Sequence, residues 1–148
     1  IIEYLSQHHP GPTVLIPADP DEARRTRFMD RACDLYLNDA MSTMFFDSRK
    51  PADQREPERV AKAKNYVEIS YAYLEQTLAD RPWLMGESFS MADCAAAPPL
   101  GYLGLIPGCD PSGHPNIAAY LQRLKERPSF ARVLAEAAPY LEKMFAAS

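Results

Sequence analysis

Ser90 and Asp93 are the residues of this 148-residue chain whose types and spacing most readily suggest chemistry, because hydrolases activate a serine through a histidine and an acid. No histidine accompanies the pair. With Phe89 one position ahead, their spacing fits instead a helix start, where each side chain accepts a hydrogen bond from the other residue's amide. We therefore interpret the pair as a structural cap, and we expect Asp93→Ala to cost about 1–2 kcal/mol of stability.

Histidines and cysteines are the other residues that metal sites and nucleophilic sites use. His8 and His9 are adjacent, lie beside a proline turn and have no cysteine or carboxylate at ligand spacing, so the sequence predicts no metal site. Cys33 and Cys94 fall on apolar helical stripes, which predicts buried, unreactive thiols. Cys109 lies in a Gly-Cys-Asp-Pro turn and is the one cysteine whose reactivity we would test.

The charge balance excludes some classes of partner. Sixteen basic and twenty acidic residues give a formal charge of −4, which provides no general electrostatic reason to bind nucleic acid or an anionic membrane. The uncharged run at residues 94–109 is interrupted by proline and glycine and is shorter than the roughly 20 residues of a membrane-spanning helix. Three cysteines without C-x-x-C spacing favour the reducing cytoplasm.

Helical periodicity covers nearly all of the chain and indicates the elements that position these residues. Apolar residues recur every three or four positions, and no stretch alternates with the period of two that a strand would need. The pattern predicts long helices over residues 20–46, 58–79 and 91–106, a helix from Pro115 and a helix from Pro128, with Pro139 separating a short tail. The predicted fold class is therefore an all-α bundle of about five helices.

Several segments, in this order, carry a family resemblance. Ile2-Glu3-Tyr4-Leu5 precedes a proline-glycine linker, Trp83-Leu84-Met85-Gly86 precedes the Ser90 cap, and His114-Pro115-Asn116-Ile117 and Arg127-Pro128-Ser129 follow it. Over nearly the whole chain this arrangement resembles the C-terminal half of cytosolic glutathione transferases. The resemblance implies that residues 1–9 are the last helix of a thioredoxin-like domain, residues 10–18 the interdomain linker, and residues 19–148 the all-α domain.

The resemblance also implies where the chemistry lies. In the family, a preceding thioredoxin-like domain holds glutathione and contacts its sulfur, so we expect no thiol-activating residue in this chain and no activity from this chain alone. The all-α domain supplies the wall of the site for the apolar electrophile. Mapped onto this sequence, that wall is formed by Tyr36, Asn38, Met41, Ser42, Phe45 and Tyr102.

Some relatives reach from this first long helix across the dimer to the partner subunit's glutathione. Arg31 and Asp34 fall in that region, so the resemblance implies a glutathione contact for both. The bacterial relatives that align would have Asn, Glu and His at positions 31, 36 and 38, where this chain has Arg, Tyr and Asn, so the transferase class stays open.

Two functions remain after this comparison. In the first, the intact protein is a cytoplasmic, homodimeric glutathione transferase that conjugates glutathione, without a metal, to a hydrophobic small-molecule electrophile. In the second, the same fold serves as a non-catalytic module for protein–protein interaction. Neither function involves nucleic acid or a membrane.

Overall fold

The computed structural model describes residues 1–146, and every regular element in them is helical. The α-helices are α1 (Ile2–His8), α2 (Pro20–Cys33), α3 (Asp39–Ser48), α4 (Pro57–Thr77), α5 (Met91–Leu103), α6 (Pro115–Glu126) and α7 (Pro128–Ala146). The predicted all-α class is confirmed. Residues 147 and 148 of the predicted domain lie outside the described residues, and the three domain boundaries stay predictions.

The first long helix starts as its sequence indicates. Asp19 caps it by accepting hydrogen bonds from the amides of Asp21 at 3.0 Å and Glu22 at 2.9 Å, and Pro20 occupies the first helical position. The helix is not uniform, because a π-helical turn, Asp34–Asn38, joins α2 directly to α3. The apolar pattern predicted the extent of this helix but not the turn.

The core lies where this helix crosses α4 and α5. The buried face of α4 carries Ala63, Val67, Tyr71 and Leu74, as its three-and-four spacing predicted. The uncharged helix α5 is central and buries most of its side chains. The hydroxyl of Tyr71 donates a 2.7 Å hydrogen bond to the carbonyl of Cys109, so the turn after α5 is fastened to α4.

Two helix ends differ from the sequence expectation. Helix α5 contains Pro98 and Pro99 in its interior, as the predicted range requires, but it ends at Leu103 rather than near Ile106. The predicted separation of a tail at Pro139 is wrong, because α7 continues through that residue. A proline inside a helix has no N–H for the backbone carbonyl one turn earlier. Pro139 is exposed, so that carbonyl can bond to water instead.

The N-terminal segment is attached to the bundle by polar contacts. The carbonyl of Leu15, in the linker, accepts a 2.8 Å hydrogen bond from the Met91 amide at the first position of α5. The guanidinium of Arg27 forms a two-pronged ion pair with Glu3 of α1, with its Nη2 3.0 Å from Oε2. Helix α1 has no buried residue of its own. These contacts orient α1 and the linker relative to α2 and α5.

Candidate functional site

Asp93 is the centre of a buried polar network. Its side chain is completely buried and accepts four hydrogen bonds: from the Leu84 amide at 3.0 Å, the Tyr120 hydroxyl at 2.8 Å, and the amide and hydroxyl of Ser90 at 2.8 Å and 3.0 Å. The reciprocal capping box with Ser90 is present. The predicted cap is confirmed, and Asp93 in addition joins α5 to α6 and to the segment before it.

A tight turn presents the Leu84 amide to Asp93. The amide of Trp83 bonds to the carbonyl of Gly86 at 3.1 Å, and the Gly86 amide bonds back to the Trp83 carbonyl at 3.0 Å. Gly86 has a φ of +123°, a backbone conformation that L side chains rarely adopt. The Trp-Leu-Met-Gly segment thus serves the cap rather than a separate site.

Sequence reasoning missed Tyr120 as a partner of Asp93. Tyr120 is fully buried, and the rule that a buried tyrosine normally finds a hydrogen-bond partner was the available signal. Burial, with the charge of Asp93, raises the pKa of Tyr120 well above its ordinary value. The phenol therefore keeps its proton and donates to Asp93, which is a structural role.

The cysteines do not form a nucleophilic site. Cys109, which the sequence marked as the cysteine to test for reactivity, is 3% exposed, and its Sγ lies 3.7 Å from Sδ of Met44. Burial raises the pKa of Cys109 and of Cys94, and it raises the pKa of Cys33 to about 12. The turn that carries Cys109 folds inward against α3 and α4, which favours an unreactive thiol.

Five of the predicted site residues form one row on the first long helix, which we call the α2–α3 stripe. It consists of Arg31, Asp34, Asn38, Met41 and Phe45, which follow one another at alternating spacings of three and four residues through the end of α2, the π-helical turn and α3. Arg31 is exposed and the other four are half-buried. The stripe thus presents charged groups at one end and thioether and aromatic groups at the other.

Arg49 covers the far end of the stripe. Its guanidinium carbon lies 3.7 Å from the centre of the Phe45 ring, which is a cation–π contact. Tyr102, the predicted residue on α5, is half-buried. Whether these side chains contact a substrate stays a prediction.

Ser42 lies next to the stripe, in a polar pocket at the α3–α4 connection. Asp47 is buried there and accepts a 2.9 Å hydrogen bond from the Glu56 amide, while the ammonium of Lys50 lies 3.4 Å from Asp47 and also pairs with the Glu56 carboxylate. The Glu56 amide, followed by Lys50, lowers the pKa of Asp47. Lys50 likewise lowers the pKa of Glu56. These ion pairs fasten the connection beside Ser42.

Tyr36 lies away from the other predicted residues, in an apolar groove between the first long helix and α4. The groove has a volume of about 360 Å³ and is lined by Phe28, Ala32, Tyr36, Tyr66, Ile69 and Tyr73, among others. The rings of Tyr36 and Tyr66 meet edge to face, with centroids 5.4 Å apart. Phe28 is 65% exposed and Tyr36 48% exposed, so the groove is an open apolar surface.

Among the described residues, 1–146, no helix is long and apolar enough to cross a membrane. No group of three or more histidine, cysteine, aspartate or glutamate side chains there could hold a metal ion.

The sequence profile described as "Glutathione S-transferase, C-terminal domain" matches residues 32–128, which is more than half of the chain and includes the π-helical turn, the Asp93 network and most of the stripe. The chain belongs to the glutathione S-transferase family. The resemblance drawn from its sequence segments is thereby confirmed at the level of the family.

Relatives of this family member agree with that assignment. The chain is 25% identical over 134 residues to "Glutathione S-transferase GstB" of Escherichia coli, and 30% identical over 149 residues to "FtsZ-localized protein A" of Caulobacter vibrioides. These alignments cover 90% and 95% of this chain. The chain spans 64% of the length of each relative, so what the whole proteins do is a matter for proposal.

A solved structure gives the same assignment. The fold matches a glutathione S-transferase from Methylobacterium radiotolerans, solved in complex with glutathione sulfonate, with a TM-score of 0.77 and 34% identity. The match covers 88% of this chain and 62% of that one.

Proposed function

We propose that this chain is the electrophile-binding and dimer-forming part of a glutathione S-transferase, which joins the glutathione thiolate to apolar electrophiles. The observation that carries the proposal is the α2–α3 stripe in a member of this family. Met41 and Phe45 supply an adaptable thioether and an aromatic ring, and Asn38 adds hydrogen-bonding groups. Such a surface suits apolar ligands of varied shape.

The charged end of the stripe suits glutathione. Glutathione carries carboxylates and an ammonium group, and the Arg31 guanidinium and the Asp34 carboxylate are complementary to them. Activation of the thiol, whose ordinary pKa is about 8.5, requires donors next to the sulfur. We assign those donors to the thioredoxin-like domain that the resemblance places ahead of Ile1, and only recognition to the residues of this chain.

The groove is our proposed dimer face. A two-fold axis brings the same surface of two copies together, so a patch formed by two neighbouring helices can cover itself. The exposed side chains of Phe28, Tyr36, Ile69 and Tyr73 would be removed from water in that contact. Phe28→Asp is expected to turn the dimer into a monomer in sedimentation equilibrium, because it places a charge in the apolar contact.

Ligand binding to the parent protein, which carries the thioredoxin-like domain, tests the electrophile wall. Calorimetry would compare glutathione with S-hexylglutathione, whose added chain is apolar. We expect Met41→Asp to weaken S-hexylglutathione about tenfold or more and glutathione much less, because Met41 lies at the apolar end of the stripe, which only the hexyl chain reaches. Val133→Asp, at an exposed position on α7, is the matched control. Equal losses for both ligands would contradict the proposal.

A non-catalytic binding module is the second candidate. The observation in its favour is the match to "FtsZ-localized protein A", which is not named as a transferase and covers as much of this chain as the named transferases do. In that case the parent protein binds neither glutathione nor S-hexylglutathione, while the Phe28→Asp variant still becomes monomeric. The same measurements therefore separate the two candidates.

A further inference from the structure

The π-helical turn, Asp34–Asn38, lies at one end of the groove and contributes Tyr36 and Leu37 to its lining. The Asp39 amide bonds to the carbonyl of Asp34, five residues earlier, instead of four as in an α-helix. Such single turns contain one residue more than an α-helical turn and occur frequently at functional sites. Three predicted ligand residues, Asp34, Tyr36 and Asn38, belong to it.

Two rows of groove-lining side chains are spaced four residues apart, and in a regular α-helix such a row rotates gradually around the helix axis. Phe28, Ala32 and Tyr36 form one row, and Met29, Cys33 and Leu37 form the other, each with two steps of four residues. In an α-helix each step of four turns by about 40°, so the third residue would drift about 80° from the first. Because each residue of the π turn rotates less, Tyr36 and Leu37 stay in line with the groove.

The contact between Tyr36 and Tyr66 depends on this alignment. The two rings form the edge-to-face pair that closes the groove between the first long helix and α4. Leu35, also in the turn, is 44% exposed and is not among the groove's lining residues. Leu35 supplies the one residue by which the π turn exceeds an α-helical turn, so its removal returns Cys33 and Leu37 to ordinary α-helical geometry. Removal of a residue from a regular α-helix instead rotates the chain before it by about 100°.

We propose that the π-helical turn is a one-residue insertion that positions Tyr36 against Tyr66 and thereby shapes the groove for the second copy of the chain. The last clause rests on the dimer proposed above. The turn is separable from folding, because the flanking core residues stay on one face when it is removed.

Deletion of Leu35 from the 148-residue chain tests the proposal. The variant is expected to unfold cooperatively, with a thermal midpoint within a few degrees of the unaltered chain, and with a dimer dissociation constant raised about tenfold or more. The matched control is deletion of Asn65, an exposed residue in the regular helix α4, where removing one residue takes Ala63 out of register with Val67 and Tyr71. That control is expected not to fold.

Each result decides the matter. A Leu35 deletion that fails to fold, as the Asn65 deletion does, overturns the insertion, and one that folds and dimerises as tightly as the unaltered chain overturns the positioning role.

If the unaltered chain is itself monomeric, the proposed dimer is wrong. In that case, binding of the apolar dye 1-anilinonaphthalene-8-sulfonate to the groove is measured. The fraction of the bound dye that Phe28→Asp removes is assigned to the groove. Loss of that fraction in the deletion variant supports the turn's role, and its retention overturns it.

Discussion

Asp93 has far more partners than a helix cap alone. Four donors from three parts of the chain meet its carboxylate, so Asp93→Ala leaves the Leu84 amide, the Ser90 amide and the Tyr120 hydroxyl buried without a partner. We expect a loss of about 3–5 kcal/mol in the free energy of unfolding, above the 1–2 kcal/mol of a simple cap. Urea denaturation measures it.

Tyr120→Phe is the matched control for this prediction. It removes one of the four hydrogen bonds and leaves the cap in place, so the expected loss is about 1–2 kcal/mol. An Asp93→Ala loss no larger than that of Tyr120→Phe would contradict the network. The capping pair was predictable because its partners are three residues apart, whereas Tyr120 is 27 residues away and only the packing of α6 brings it there.

The cysteines give a second prediction at this scale. Because burial raises the pKa of Cys33 and Cys109, both remain protonated at pH 8, and thiols react as thiolates. Iodoacetamide is therefore expected to modify both many-fold more slowly in the native chain than in urea, where all three cysteines should react alike. Mass spectrometry of the labelled peptides measures the rates. Native Cys109 reacting as fast as it does in urea would show that its turn opens.

Among the elements, the α3–α4 connection is expected to depend on pH. The pKa values of Asp47 and Glu56 are lowered in the folded chain, so their contribution to stability is present above the pKa values of the unfolded chain, about 3.9 and 4.3. It is lost as the pH falls through the lower pKa values of the folded chain. Lys50 has a raised pKa, so its contribution is lost only as the pH rises above about 10.4. The connection is thus expected to be intact across the neutral range.

The amide proton of Glu56 reports this titration, since it donates to Asp47. In NMR spectra we expect its chemical shift to change with a midpoint below about 3.9, the ordinary value for aspartate. Asp47→Asn is the control and should remove that transition. A midpoint at or above the ordinary value would mean that Lys50 and the Glu56 amide do not stabilise the ionised Asp47.

Helix starts were the most predictable elements, because the signals are local. Asp19-Pro20, Ser90, Pro115 and Pro128 each mark a helix start that the structure has. The π-helical turn was not predictable, since the apolar pattern on either side of it fits a continuous α-helix. The predicted break at Pro139 was wrong because a proline on an exposed face costs less than one that leaves a buried carbonyl without a partner.

At the scale of the whole molecule, family and fold were predictable from the order of short segments along the chain. The site was predictable only in part. The family resemblance placed Tyr36 in one site with Asn38 and Met41, but the groove and the stripe are different faces of one helix, and their separation depends on how that helix crosses α4 and α5. Long-range packing of this kind leaves no local signal.

Conjugation by the parent protein, with the thioredoxin-like domain that we propose for it, is the most direct test of the proposed function. The rate of glutathione addition to 1-chloro-2,4-dinitrobenzene would be measured against both substrates. We expect saturation in each, with Met41→Asp raising the KM for the electrophile about tenfold and leaving that for glutathione nearly unchanged, because Met41 belongs to the apolar end of the stripe, which we propose as the electrophile wall. A parent protein that binds neither substrate and adds nothing to the uncatalysed rate would contradict the assignment of this chain to a working transferase.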